Sequence, residues 1–225
     1  MIKPERKAVD RRLALLVLDD VYEYGGEGMH GLIPQTFPFF AKYLTDQESS
    51  VRQAAAYGIG QLAEKCHMLP LVQQNARACA DALITVIEGA NARHKKQVHA
   101  TDNCISALGK YVEFLGAQLP DASAYLNKWV GMLPVTGDLE EGKVIYHTLC
   151  RFMEQNSAAV LGPNGENLPT VMKTFAYALE TDAVDEELQA KIKAIAVMLN
   201  QTMGPQVVAA CQQLPAEEVA KLQRL

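Results

Sequence analysis

The side chains able to do chemistry in this 225-residue chain are five histidines, five cysteines and a spread of carboxylates. His30, His67, His94, His99 and His147 show no metal-ligand spacing, and no His-Glu dipeptide occurs. Cys66, Cys79, Cys104, Cys150 and Cys211 form no Cys-x-x-Cys pair. Each falls in a helical pattern, where a thiol behaves as a small apolar group. No Cys-His nucleophilic pair is evident from spacing. Gly58-x-Gly60 lies inside a helical pattern and lacks the third glycine of a dinucleotide fingerprint. Gly162-Pro-Asn-Gly has no Lys-Ser/Thr after it, so it is not a phosphate-binding loop. Catalytic residues, cofactors and metals are therefore not expected. What is left is recognition chemistry. Asp19, Asp20, Glu23, Tyr57, Gln61, Glu64, Asp102 and Glu141 are candidates for one acidic wall, able to hold lysine and arginine side chains by charge-assisted hydrogen bonds. The plainer alternative for them is a solvated helix face.

Helices must position these groups, and the stretch Asp46–Glu64 shows which kind. Val51, Ala54, Ala55, Gly58 and Leu62 recur at helical spacing on one face. A face so rich in Ala and Gly lets a second backbone come very close, as in a stack of helix pairs. Thr45-x-x-Glu48 predicts a capping box at its start. Asp46 and Arg52 fit an acid–arginine pair through which neighbouring repeats hydrogen-bond in a ladder.

In chain order, Met1–Pro4 reads as a cut edge rather than a natural beginning. Helices are predicted over about 7–24 (Leu13, Leu16, Val17 and Val21 on one face), 32–44, 46–66, 71–88, 93–115, a short one after Asp121, and 138–154. Further helices cover about 169–179, 185–203, 206–213 and 215–225, with Pro215 at the first helical position and Lys221 and Arg224 matching the dipole at the end. Asp138-x-x-Glu141 is a good cap pair. Phe37, Phe39, Phe40 and Tyr43 are expected in the core, and Trp129 is expected to anchor adjacent repeats. No segment alternates with period two, so no sheet is expected.

Composition narrows the partners. The net charge is -5 and the longest basic cluster is Arg93-His94-Lys95-Lys96, which argues against nucleic acid and for a basic protein partner. An odd number of cysteines without a secretory h-region suggests a reducing compartment, where Asn200-Gln201-Thr202 would be a chance sequon. No apolar run approaches a membrane span.

Leu18, Ile59, Leu108, Leu149 and Ile195 are comparable points on successive second helices, 41, 49, 41 and 46 residues apart. That brackets the period of HEAT and armadillo arrays. The fold class expected is all-α, a right-handed α-α superhelix. Residues 1–225 would be a single array of about four to five HEAT repeats, the C-terminal part of a longer solenoid. The missing His-Glu pairs argue against a HEAT-fold di-iron hydroxylase, and the acidic charge against a HEAT-like DNA glycosylase.

Several blocks carry a family resemblance. They are Leu18-Asp-Asp-Val21, Val51-Arg-Gln-Ala-Ala-Ala-Tyr-Gly-Ile-Gly60, Asp102-Asn-Cys-Ile-Ser-Ala-Leu-Gly-Lys110, Trp129 with Leu133-Pro134, Val160-Leu-Gly-Pro-Asn164, Asn167-Leu-Pro169 and Leu214-Pro-Ala-Glu-Glu218. In this order the chain resembles the C-terminal repeats of the importin-β (karyopherin-β) superfamily, most nearly its importin four / importin five branch. The resemblance implies a receptor shuttling between cytoplasm and nucleus. It would bind cargo with basic localisation signals, phenylalanine-glycine nucleoporins and the Ran GTPase, the main Ran site lying outside these residues. It implies no enzymatic activity, direct nucleic-acid binding or membrane attachment. The alternative is a HEAT-repeat scaffold or adaptor subunit of another complex.

Overall fold

The computed structural model describes residues 5–179, 181 and 184–223; Met1–Pro4, Arg224 and Leu225 lie outside them. Every regular element among the described residues is helical. The chain divides into two compact units, Met1–Ala122 and Ser123–Leu225.

The first unit runs α1 (Ala8–Tyr24), a 3-10 segment (Gly26–Leu32), α2 (Ile33–Tyr43), α3 (Ser49–Cys66), α4 (Pro70–Gln74), α5 (Ala76–Ile87) and α6 (Val98–Leu115). Its centre is α3, which packs against α1, α2 and α6, while α5 packs on α6. The whole predicted face of α3, Val51, Ala54, Ala55, Gly58 and Leu62, is buried. Small side chains are required there. A Cβ built on Gly58 would lie 2.0 Å from Cε1 of Phe40 and 2.4 Å from Oδ1 of Asp19. On Gly60 it would meet Cα of Ala107 at 3.3 Å, so α6 also crosses α3 at near-backbone distance.

Helix α1 differs from its predicted facing. Leu15, Asp19 and Tyr22 are buried, whereas Leu13 and Val17 are 62% and 56% exposed. Phe37, Phe40 and Tyr43 are core residues and Phe39 is half-buried. The capping box before α3 does not form: Glu48 is the N-cap without a side-chain bond, and the Thr45 hydroxyl donates to the carbonyl of Lys42. Asp46 instead accepts the Glu48 N–H at 2.9 Å. The helix predicted over 71–88 breaks at Asn75, whose side-chain amide donates to the Leu71 carbonyl and competes with the helical ladder. Residues 93–97 form turns instead of the start of α6.

The second unit contains α7 (Ala122–Val130) apart from its first residue, α8 (Leu139–Leu161), α9 (Leu168–Ala178), α10 (Glu186–Cys211) and α11 (Ala216–Leu222). Asp138 caps α8 through the Glu141 N–H, and Asp185 caps α10 through the Leu188 N–H. Helix α8 is interrupted at Asn156, whose Oδ1 takes the Ala159 N–H and restarts the helix. Helix α10 is interrupted at Met203, because Pro205 has no N–H to give the preceding turn. Pro215 is the N-cap of α11, one position earlier than expected, in an extended conformation. Trp129 is fully buried and meets the Phe152 ring edge-on at 5.4 Å. Gly162 and Gly165 have positive φ in the loop before α9, and any side chain on Gly162 would strike the Glu166 carboxylate.

Candidate protein-binding face

Asp46 and Arg52 come together and reach in opposite directions. The carboxylate of Asp46 takes two hydrogen bonds from Arg11 of α1, both 2.9 Å. Arg52 donates to the main-chain oxygens of Asp46 and Gln47, and its other nitrogen donates to Oε1 of Gln97 just before α6. Burial raises the pKa of Asp46, but the hydrogen bonds from Arg11 and the Glu48 N–H outweigh it and hold the carboxyl below its usual range. Replacing Asp46 with Ala should cost about 2 kcal/mol, since it leaves a half-buried guanidinium without its bidentate partner. A urea titration reads this, and an unchanged midpoint would contradict it.

The proposed acidic wall is less uniform than its residue list. Asp20 is exposed and Glu23, Tyr57 and Glu64 are half-buried. Asp19, Gln61, Asp102 and Glu141 are buried. Glu141 belongs to the second unit, where it occupies the first turn of α8. Asp102, at 0% exposure, faces Arg93 at 3.4 Å. Neither carboxylate oxygen of Asp19 has a hydrogen-bond partner. Its burial, followed by the nearby charges of Asp20 and Glu23, pushes its pKa up to about 8.

Glu23, Tyr57 and Glu64 instead join a polar chain across α1, α3 and α6. The Tyr57 hydroxyl donates to Glu23 at 2.7 Å, linking α3 to α1. Lys110 of α6 reaches Oε2 of Glu64 at 2.8 Å and lies 5.9 Å from the centre of the Tyr57 ring. Lys65 reaches the other oxygen of Glu64 at 2.6 Å. Burial raises the Glu64 pKa, but these two lysines prevail and lower it. Sequence reasoning did not single out Arg11, Gln97 or Lys110. A signal existed for Lys110: the 49-residue step from Ile59 to Leu108 carries Gln61 to position 110.

Reactive chemistry is disfavoured by the same packing. Burial pushes the thiols up, Cys66 to about 11 and Cys104 and Cys150 to about 12, so they stay protonated and unreactive at neutral pH. Among the described residues no group of three or more His, Cys, Asp or Glu is placed to hold a metal ion. No described helix is long and apolar enough to cross a membrane.

Residues 37–66 match the HEAT repeat family. Over 215 residues, 94% of this chain, the sequence is 24% identical to importin subunit beta-3 of Saccharomyces cerevisiae, of which 19% is covered. Kap121p solved with RanGTP matches 95% of this chain at TM-score 0.74 and 20% identity, over 19% of its own length. The karyopherin Kap121p bound to the SUMO protease Ulp1p matches 98% at TM-score 0.73 and 21% identity, over 20% of its length. The fold is thus an all-α HEAT-repeat solenoid. Along nearly its whole length the sequence is similar to this importin subunit. It spans about a fifth of the length of the relatives it matches.

Proposed function

We propose that the chain is part of an importin-β-type nuclear transport receptor, of the importin four / importin five branch, and supplies a C-terminal share of its solenoid. The carrying observation is a sequence match to an importin subunit that runs through 94% of the chain rather than through one repeat. The receptor takes protein cargo with basic signals, meets phenylalanine-glycine nucleoporins, answers to Ran and shuttles between cytoplasm and nucleus. It works by binding and carries no catalytic site. Kap121p, the neighbour in fold, has been solved with RanGTP, with Ulp1p and with Ste12p, which supports protein cargo and Ran as the partner classes.

Residues 1–225 form, on this reading, one array of about four to five repeats that continues a longer one. The bare side of α1 supports that. By the 41-residue step, Leu13 and Val17 correspond to Ala54 and Gly58. The latter two are buried in the next repeat, where α1 packs on α3. Around Leu13 and Val17 there is instead an open apolar groove of about 870 Å³ that includes Phe39, suited to a preceding helix pair.

The test is a pull-down of the parent protein on immobilised phenylalanine-glycine repeats, with and without GTP-locked Ran, run beside this chain. Binding of the parent to the repeats together with Ran-driven release of a basic cargo is the expected result. A parent that ignores both would sink the transport reading and leave a HEAT scaffold or adaptor.

A further inference from the structure

Lys110 belongs to α6, and its ammonium group sits between a carboxylate and an aromatic ring of α3. The residue is 8% exposed. One end of its site is the Glu64 carboxylate at 2.8 Å. One wall is the Tyr57 ring, within cation–π range at 5.9 Å and fixed by the hydroxyl's bond to Glu23. The floor is Gly60, where a Cβ would come within 3.4 Å of Lys110 Cδ. A carboxylate, an aromatic wall and a side-chain-free floor for the methylene stem are what recognise a primary ammonium group. A salt bridge that merely staples two helices needs only the first.

We propose that Tyr57, Gly60 and Glu64 form a lysine-recognition slot that Lys110 fills in cis, and that a lysine of a basic partner segment displaces it. This rests on the reading that a basic partner meets this face. Because Lys110 also ties α6 to α3, displacement loosens that tie. Partner binding and the packing of α6 on α3 are then coupled, and each acts on the other to the same extent. Lys65, already on the second oxygen of Glu64, keeps the carboxylate charged during the exchange.

The experiment uses the 225-residue chain and a fluorescein-labelled peptide of alternating lysine and glycine, followed by anisotropy at fixed ionic strength. Lys110→Met keeps the stem and removes the competitor. If the slot is filled in cis nine-tenths of the time, Kd should fall about tenfold. Lys173→Met, an exposed position in the second unit, makes the same change in net charge and should shift Kd less than about twofold, being a general charge effect. Adding Glu64→Gln to Lys110→Met should abolish the gain. A second readout does not depend on any variant folding: saturating peptide should move the Lys110 side-chain NMR signals of the unaltered chain toward those of a free lysine. The inference is overturned if Lys110→Met binds no tighter than Lys173→Met, if the gain survives Glu64→Gln, or if the Lys110 signals stay fixed under saturation. Unaltered binding in all variants would still leave the basic-partner reading standing, with its site elsewhere. No binding in any variant would overturn the slot, while Ran and nucleoporin binding by the parent would be judged separately.

Discussion

Replacing Asp19 with Asn is expected to remove a steep loss of stability between about pH 5 and pH 8. Asp19 is 2% exposed, neither of its oxygens is hydrogen-bonded, and Oδ1 lies against the bare Gly58 backbone beside the Phe40 ring. No cation is among the causes of its shift: burial comes first, and Asp20 and Glu23 add to it, taking the folded pKa to about 8. In the unfolded chain the group titrates near an ordinary value of about 3.9. Between these two values the folded chain holds a proton that the unfolded chain has released. Stability from this site is therefore intact below about pH 4 and falls by roughly 1.4 kcal/mol per pH unit until about pH 8. From pH 5 to pH 8 the stability difference between the Asp19→Asn variant and wild type should grow by about 4 kcal/mol in favour of the variant. At pH 4 the variant should be no more stable than wild type, because an amide in that place is also left without partners. Urea titrations at four pH values decide the matter. Parallel curves for the two proteins would mean that Asp19 is solvated in the folded state.

The helical framework was legible in the sequence because its period is strong and its small-residue face is unusual. Val51, Ala54, Ala55, Gly58 and Leu62 are buried as their spacing predicts. Asp138 caps α8, since an acid just ahead of a helix has few competitors for the free N–H groups. Thr45 and Glu48 fail as a capping box because Asp46 takes the Glu48 N–H while also holding Arg11. That second partner is 35 residues away and invisible to local pattern. The polar face was harder. An acid on a helix reads as exposed by default, yet Leu15, Asp19 and Tyr22 recur at helical spacing and all three are buried. Lys110 was missed for a different reason. Repeat spacing puts it on the stripe of Gln61, but its reach to Glu64 depends on how closely α6 crosses α3. That distance is set by Gly60 against Ala107, a pairing the one-dimensional pattern does not contain.

Replacing Gly58 with Ala is expected to destabilise the first unit by about 2–3 kcal/mol, although alanine is the better helix former. Glycine inside a helix is worse than alanine by about 1 kcal/mol, so an unconstrained site would gain from the change. Here the new methyl would lie 2.0 Å from Cε1 and 2.5 Å from Cδ1 of Phe40, and 2.4 Å from Asp19 Oδ1. None of these neighbours has room to retreat. Phe40 is fully buried and leans on Tyr22 at 5.2 Å between ring centres, and Tyr22 is itself 1% exposed. Overpacking a filled core usually costs about 1–3 kcal/mol, and a clash with a fixed ring belongs at the upper end or beyond, which outweighs the propensity gain. The relief open to the chain is to part α1 and α2 from α3, which would uncover the whole Ala54–Gly58 face. Gly60→Ala is the internal control. Its methyl would meet Ala107 at 3.3 Å and the flexible end of Lys110 at 3.4 Å, so small shifts suffice and the change should be within about 1 kcal/mol of neutral. Equal midpoints for the two variants in urea would refute the claim that α3 is organised around the close approach at Gly58. A large loss confined to Gly58→Ala would establish that this one glycine sets the spacing of α1, α2 and α3.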